Sequence, residues 1–141
     1  MRIVVANAEQ ARAAVERFHA FHDGFVRRLT LDSHDVFEDR HTHTTTGLLD
    51  LTVLFARSNH DEGRPPSGQE TEARFREVRD LRVRFTGEAT DGPIQELRLD
   101  AGGARLRARM AQSRLVAGAR WERAETRSFT FAAAEIREVK P

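Results

Sequence analysis

The chain has no cysteine and no tyrosine, and Lys140 is its only lysine among 23 basic residues. Without cysteine there is no disulfide framework, no thiol nucleophile and no thiolate metal site. A reducing compartment is compatible with that lack. No apolar run approaches the roughly 18 residues of a membrane span. The apolar stretch after Met1 and Arg2, Ile3 to Ala6, is too short for a signal-peptide core and gives way at once to polar residues. The expected location is therefore the cytoplasm, with no membrane partner. Phosphate-loop and dinucleotide glycine patterns are missing, since Gly102-Gly103 is too short a run, and no serine sits in a nucleophile-elbow sequence. Charged residues make up 32% of the chain, yet the formal net charge is only +1, so global electrostatics points to neither nucleic acid nor an anionic membrane.

What is present is a chain of 141 residues, long enough to bury roughly two-thirds of its unfolded surface in one domain. Its charge is uneven. Residues 1–70 carry 8 bases and 11 acids, residues 71–141 carry 15 and 11. The near-exclusive use of arginine fits the codon usage of a GC-rich bacterial genome before it fits a demand for guanidinium chemistry.

Ile3 to Val5 reads as a short strand. Asn7 is a good helix N-cap, and Gln10 three residues later completes a capping-box pattern. Ala8 to about Ala20 favours helix, with Ala11, Ala14, Val15, Phe18 and Phe21 or His22 forming one apolar stripe and Gly24 as the stop. Beyond Gly24 the period drops to two: Phe25, Arg27, Leu29 and Leu31 alternate with Val26, Arg28 and Thr30. A polar stretch from Ser33 to Arg40 precedes a long strand, His41 to Arg57, in which Gly47 marks a bulge or bend. Residues 58–70, rich in proline and glycine, read as a flexible loop inside a single domain spanning 1–141. Further alternating runs fall at 74–85, 96–100, 105–110, 115–121 and 128–139, with a hairpin turn at Ala101-Gly102-Gly103. The expected fold is α+β and mainly antiparallel β: one N-terminal helix and about six to eight strands. They form either a curved sheet with the helix on its concave face or a two-layer sandwich with the helix plugging one end.

The segment Phe21-His22-Asp23-Gly24-Phe25-Val26, followed by Arg28-Leu29-Thr30-Leu31-Asp32, resembles a family of small bacterial domains. Those carry a Phe-His-Asp-Ala element before a run of strands. Phe75 to Val83 is similar in kind to a sheet strand of that family. Gly24 stands where the family has alanine, and the polar insert at 33–45 departs from its pattern. The resemblance implies an expected role, since some members are grouped with the immunity proteins of polymorphic-toxin systems. It carries over only to Phe21, His22 and Asp23.

Three constellations could carry function. His22-Asp23 suits either acid–base chemistry or a hydrogen-bonded helix-to-strand corner, and the corner is the expected role. His19 and His22, at i, i+3, share a helix face, and His41 and His43, at i, i+2, share a strand face. With Asp23 these residues offer nitrogen and oxygen ligands for a divalent transition metal such as zinc, nickel or iron. No metalloprotease-type motif supports that site. The alternative for the histidines at 41 and 43 is a solvated strand start.

The third constellation is a ladder of Arg82, Arg84, Arg98, Arg105, Arg107 and Arg109 on the polar side of the expected strands. It would form a basic face for an acidic protein, phosphate or nucleic acid. Aromatic residues are not interleaved with it, which weighs against a stacking platform for single strands. Against it stands a solvated face neutralised by Glu77, Glu88 and Glu96. The expected function is a non-catalytic bacterial binding domain acting on another protein through a sheet face, with no cofactor. The alternative is a metal-dependent enzyme built on the histidines and Asp23.

Two expectations follow for packing. Phe18, Phe21 and Phe25 should form one buried cluster pinning helix to sheet. The run Phe129 to Ile136 is apolar on both alternating faces, and one half-exposed sheet buries only one of them, which implies a homodimer.

Overall fold

The computed structural model describes residues 2–18, 24–37, 39–44, 46–57, 69–84, 90–116 and 120–139. It contains one N-terminal helix and nine antiparallel strands in two sheets, an α+β, mainly β fold, with a two-residue ribbon attached. The strand β1 (Arg2–Val5) is followed by helix α1 (Ala8–Arg17). The strands β2 (Phe25–Asp32), β5 (Asp50–Arg57) and β6 (Gln69–Arg76) come next, with the ribbon β3 (Val36–Phe37) and β4 (His43–Thr44) set between β2 and β5. Then follow β7 (Arg79–Val83), β8 (Thr90–Gly102), β9 (Arg105–Val116), β10 (Arg120–Phe131) and β11 (Ala133–Val139). The five-stranded sheet has the order β1-β11-β6-β5-β2, and the four-stranded sheet the order β7-β10-β9-β8.

The helix begins where its capping residues dictate. The Asn7 side chain accepts from the Gln10 N–H at 2.8 Å, and Gln10 Oε1 accepts from the Ala6 N–H at 2.8 Å, so two amides at the helix start are satisfied locally. Ala11, Ala14 and Phe18 are buried, and this stripe packs on β1 and β8.

The two sheets share one core. Phe75 of the five-stranded sheet meets Phe129 and Phe131 of the other edge-on, at ring-centre distances of 4.8 and 4.9 Å. Two chain runs belong to both layers. β6 bends into β7 across Glu77-Val78, and β10 bends into β11 at Ala132. The two bends lie side by side: the Ala132 N–H donates to the Arg76 carbonyl at 3.0 Å, and Glu77 and Asp80 take left-handed φ values of 52° and 54° to make the turn. Strands that switch sheets at a bend are how packed sheets form a corner.

That corner answers the apolar run. Because Ala132 breaks the alternation, Phe129 and Phe131 before it and Ala134 and Ile136 after it all enter the same core. The pattern that suggested a second copy is thus accounted for within one chain.

Several expectations about packing and strand bounds need correction. Phe18 is buried, but Phe25 is 54% exposed; Phe21 lies outside the described residues. The register of β2 against β5 shifts between Val26 and Arg28, so Val26, opposite Phe55, turns to the core and Phe25 to the outside. Leu31, farther along this edge strand, is 55% exposed. The long strand from His41 to Arg57 is instead β4 and β5. Between them Gly47 has a φ of 69°, and Thr46 Oγ1 donates to the Ser33 carbonyl at 3.1 Å and accepts from the Leu48 N–H. The strands outnumber the six to eight expected because 69–83 and 120–139 each divide at the corner. Residues 58–68 of the expected loop lie outside the described residues.

Candidate functional site

The metal constellation is not assembled among the described residues. His19, His22 and Asp23 lie outside them, so neither the helix pair nor the His22 corner is described. His41 is exposed in the turn joining β3 and β4, where its N–H donates to Asp39 Oδ1 at 2.8 Å, and His43 pairs with Phe37 in the ribbon. The Asp39 carboxyl is held below its ordinary pKa by the His41 and Thr42 amides. This describes a capped turn. No group of three or more metal-ligating side chains occurs among the described residues.

The arginine ladder lies on one sheet. On β9, Leu106, Ala108 and Met110 point to the core, so Arg105, Arg107 and Arg109 point outward from the four-stranded layer. Register places Arg98 of β8 opposite Arg109, Arg109 opposite Ser128 of β10, and Ser128 opposite Arg82 of β7. Arg98, Arg109, Ser128 and Arg82 therefore form a row across all four strands. The next row holds Asp100, Arg107 and Thr130.

A bulge in β10 shapes this face. The register shifts between Glu125 and Arg127, so the extra residue, Thr126, and Arg127 turn inward while Glu125 and Ser128 both face out. The bulge is fixed from within. Thr126 Oγ1 and Arg127 each donate to Gln112 Oε1 at 2.6 Å, and the Arg84 N–H donates to the Thr126 carbonyl at 2.8 Å. Arg114, nearly buried, donates to the Arg84 carbonyl at 2.8 Å and holds the end of β7 in place.

The six arginines differ in their partners. Arg98 pairs with Glu96 at 3.1 Å, and Arg123 reaches the same carboxylate at 2.7 Å. These two guanidiniums hold Glu96 below its ordinary pKa. Arg105 donates to Thr130 Oγ1 at 3.2 Å and to the Glu77 carbonyl, so it braces the corner. Arg82, Arg107 and Arg109 make no ion pair with any described residue, and they line an open depression of about 420 Å³ with the Ser128 and Thr130 hydroxyls. Arg84 lines an adjoining depression of about 280 Å³. Of the acids expected to neutralise this face, Glu96 does so among the described residues. Glu77 supplies a backbone carbonyl instead, and Glu88 lies outside the described residues. Asp80 and Glu125 also border the 420 Å³ depression.

The outer face of the five-stranded sheet provides the contrast. There Arg2 pairs with Glu135, Arg27 with Glu70, Arg137 with Glu72 and Arg74 with Asp50, at 2.5 to 3.2 Å. Four of its arginines are thus held by acids of the same chain, while Arg28 and Arg76 make no ion pair with a described residue. The cavity between the sheets, lined by Phe55, Phe75, Met110 and neighbours, measures only about 10 Å³, the room of a single water at most. That gap has no space for a ligand, and the open depressions at Arg82 and Arg84 lie on the outer face of the four-stranded sheet.

One residue of that face escaped the sequence reading. Trp121 stands opposite Leu115 on the outward side of β10, in line with Arg123 and Glu125, and is 57% exposed. It is the chain's single tryptophan. Its alternation with Arg123 and Glu125 was the available signal.

A second cluster was also unforeseen. Asp50, 5% exposed, accepts from His34 Nε2 at 2.8 Å, Arg74 at 3.2 Å and the Glu77 N–H at 3.2 Å. Burial raises its pKa, but these three bonds together outweigh it and hold the carboxyl below its ordinary value. His34 takes a φ of 58° to reach it. The cluster ties the β2–β3 connection to the β6–β7 bend.

No helix among the described residues is long and apolar enough to cross a membrane. Compared with protein-family models, curated proteins and solved structures, the chain matches none of them.

Proposed function

We propose that this chain is a non-catalytic bacterial binding domain that engages another protein, in the cytoplasm, through the outer face of its four-stranded sheet. The observation that carries the reading is the asymmetry between the two outer faces. On one, four arginines pair with acids of the same chain, while on the other Arg82, Arg107 and Arg109 surround an open depression, bordered by Asp80 and Glu125, and make no ion pair with any described residue. Arginine is over-represented where proteins recognise one another, and unpaired guanidiniums steer an oppositely charged partner. An immunity-protein-like role, as the Phe21-His22-Asp23 resemblance implies, is one form such binding would take.

The test is affinity capture from the native host with the wild-type protein and with the Arg82→Glu/Arg107→Glu/Arg109→Glu variant. A stoichiometric partner retained by the first and lost by the second is expected. A partner held equally by both would place binding elsewhere on the molecule.

A further inference from the structure

The chemistry of the occupant follows from the face itself and rests on the binding role proposed above. Arg82, Arg107 and Arg109 occupy one end of the face, and Trp121 stands about 20 Å away along β10, at roughly 3.3 Å per residue with the bulge discounted. Both features are open to solvent, and tryptophan and arginine are the side chains that dominate binding energy at protein interfaces. Glu125 stands between them and borders both of the depressions described above, as well as a third of about 100 Å³ beside Glu96, Arg98 and Arg123.

That central carboxylate decides the class of partner. A nucleic acid presents uninterrupted negative charge and would meet Glu125 and Asp80 head-on. A lone tryptophan at one end also supplies no series of stacking surfaces for successive bases. A protein segment has discrete charges and can leave neutral residues opposite Glu125. We infer that the face accepts an acidic protein segment of about six extended residues, with carboxylates on Arg82, Arg107 and Arg109 and an apolar side chain against Trp121. Ser128, in the row between Arg109 and Arg82, supplies a hydroxyl donor between guanidiniums.

Trp121 makes the inference measurable, because no other tryptophan and no tyrosine contributes to the emission. The probes are a ten-residue peptide with a leucine at one end and three glutamates at the other, the same peptide with glutamines, and a single-stranded thymidine ten-mer. At low salt the acidic peptide is expected to change Trp121 emission saturably, and added salt to weaken it. The glutamine peptide, and the Arg82→Glu/Arg107→Glu/Arg109→Glu variant, are expected to lose about tenfold or more in affinity. Glu125→Gln is expected to bind the acidic peptide more tightly than wild type. The glutamine peptide makes the same test on the unaltered protein, so the inference stays exposed even where the triple variant is poorly folded. Equal affinity for the acidic and glutamine peptides overturns it, as does tighter binding of the thymidine ten-mer. An emission change on raising protein concentration alone would make the occupant a second copy of this chain, which also overturns it. Loss of a host partner in the triple variant without peptide discrimination would overturn this inference and leave the binding reading standing.

Discussion

Asp50 offers the sharpest test of how the corner is held. Its carboxylate accepts from His34, Arg74 and the Glu77 N–H, and it is 5% exposed. Asp50→Ala removes all three acceptor contacts. A hydrogen bond to a charged group contributes about 1.5–3 kcal/mol when buried. Here His34 and Arg74 are partly exposed and can turn to water, which discounts their share. The Glu77 amide keeps its place in a left-handed turn and loses its acceptor. The desolvation of the carboxylate is relieved in the variant, a partial offset. The balance is a loss of about 2–3 kcal/mol at neutral pH. At about 2.1 cal/mol/K of unfolding entropy per residue, a chain of this length should melt roughly 7–10 °C lower. The pH dependence has a definite sign. The folded pKa of Asp50 lies below its ordinary value, so the stabilisation is fully present above about pH 3.9 and disappears as pH falls through the folded pKa. Melting curves of the wild type and Asp50→Ala by circular dichroism should run parallel from pH 7 to 5 and converge in stronger acid. Equal melting temperatures at pH 7, or a gap that persists at the acid end, would refute the reasoning.

Other perturbations bear on separate parts of the fold. The Thr71 hydroxyl is buried with no hydrogen-bond partner among the described residues, so Thr71→Val, of similar shape, should stabilise by about 1 kcal/mol and raise the melting temperature by roughly 3 °C. Phe75→Ala removes the ring that joins the two sheets and should cost about 3–5 kcal/mol in urea unfolding, with a smaller loss showing that the layers meet elsewhere. Asn7→Ala should cost about 1 kcal/mol and be rescued by Asn7→Asp, as measured by thermal melts, because only the cap acceptor is at stake.

The parts of the fold legible in the sequence were those decided by neighbours in the chain. Asn7 and Gln10 announce a helix start because a cap is a contact within four residues. The alternation from Arg105 to Met110 announces an outward row of arginines because a strand's period is two. Where the period breaks, legibility ended. A single residue at Ala132 reverses the parity of the last strand, and one more at Thr126 re-aims Glu125 and Ser128; nothing in residue type marks either as an insertion. Phe25 was misplaced for the same reason, by the shift between Val26 and Arg28. Asp50 was invisible for a different reason. Its partners at His34, Arg74 and Glu77 lie 16 to 27 residues away and meet it only once the sheet and the corner exist.

The strand order has a consequence for how the chain is made. β11 lies between β1 and β6, so the described strand that is last in chain order is not an edge but an interior member of its sheet. Until it leaves the ribosome, β1 has nowhere to pair, and β6 presents an open row of amides and carbonyls beside β5. Nascent chains of this protein should therefore pass through an interval with a template for wrong pairing on display, which closes only when the two ends of the sequence find each other. Pairing over so long a separation is slow, because loop closure must precede any gain from contact. Arg2 facing Glu135 across that junction, and Arg137 facing Glu72 on its other side, put opposite charges on the strands that must find each other late.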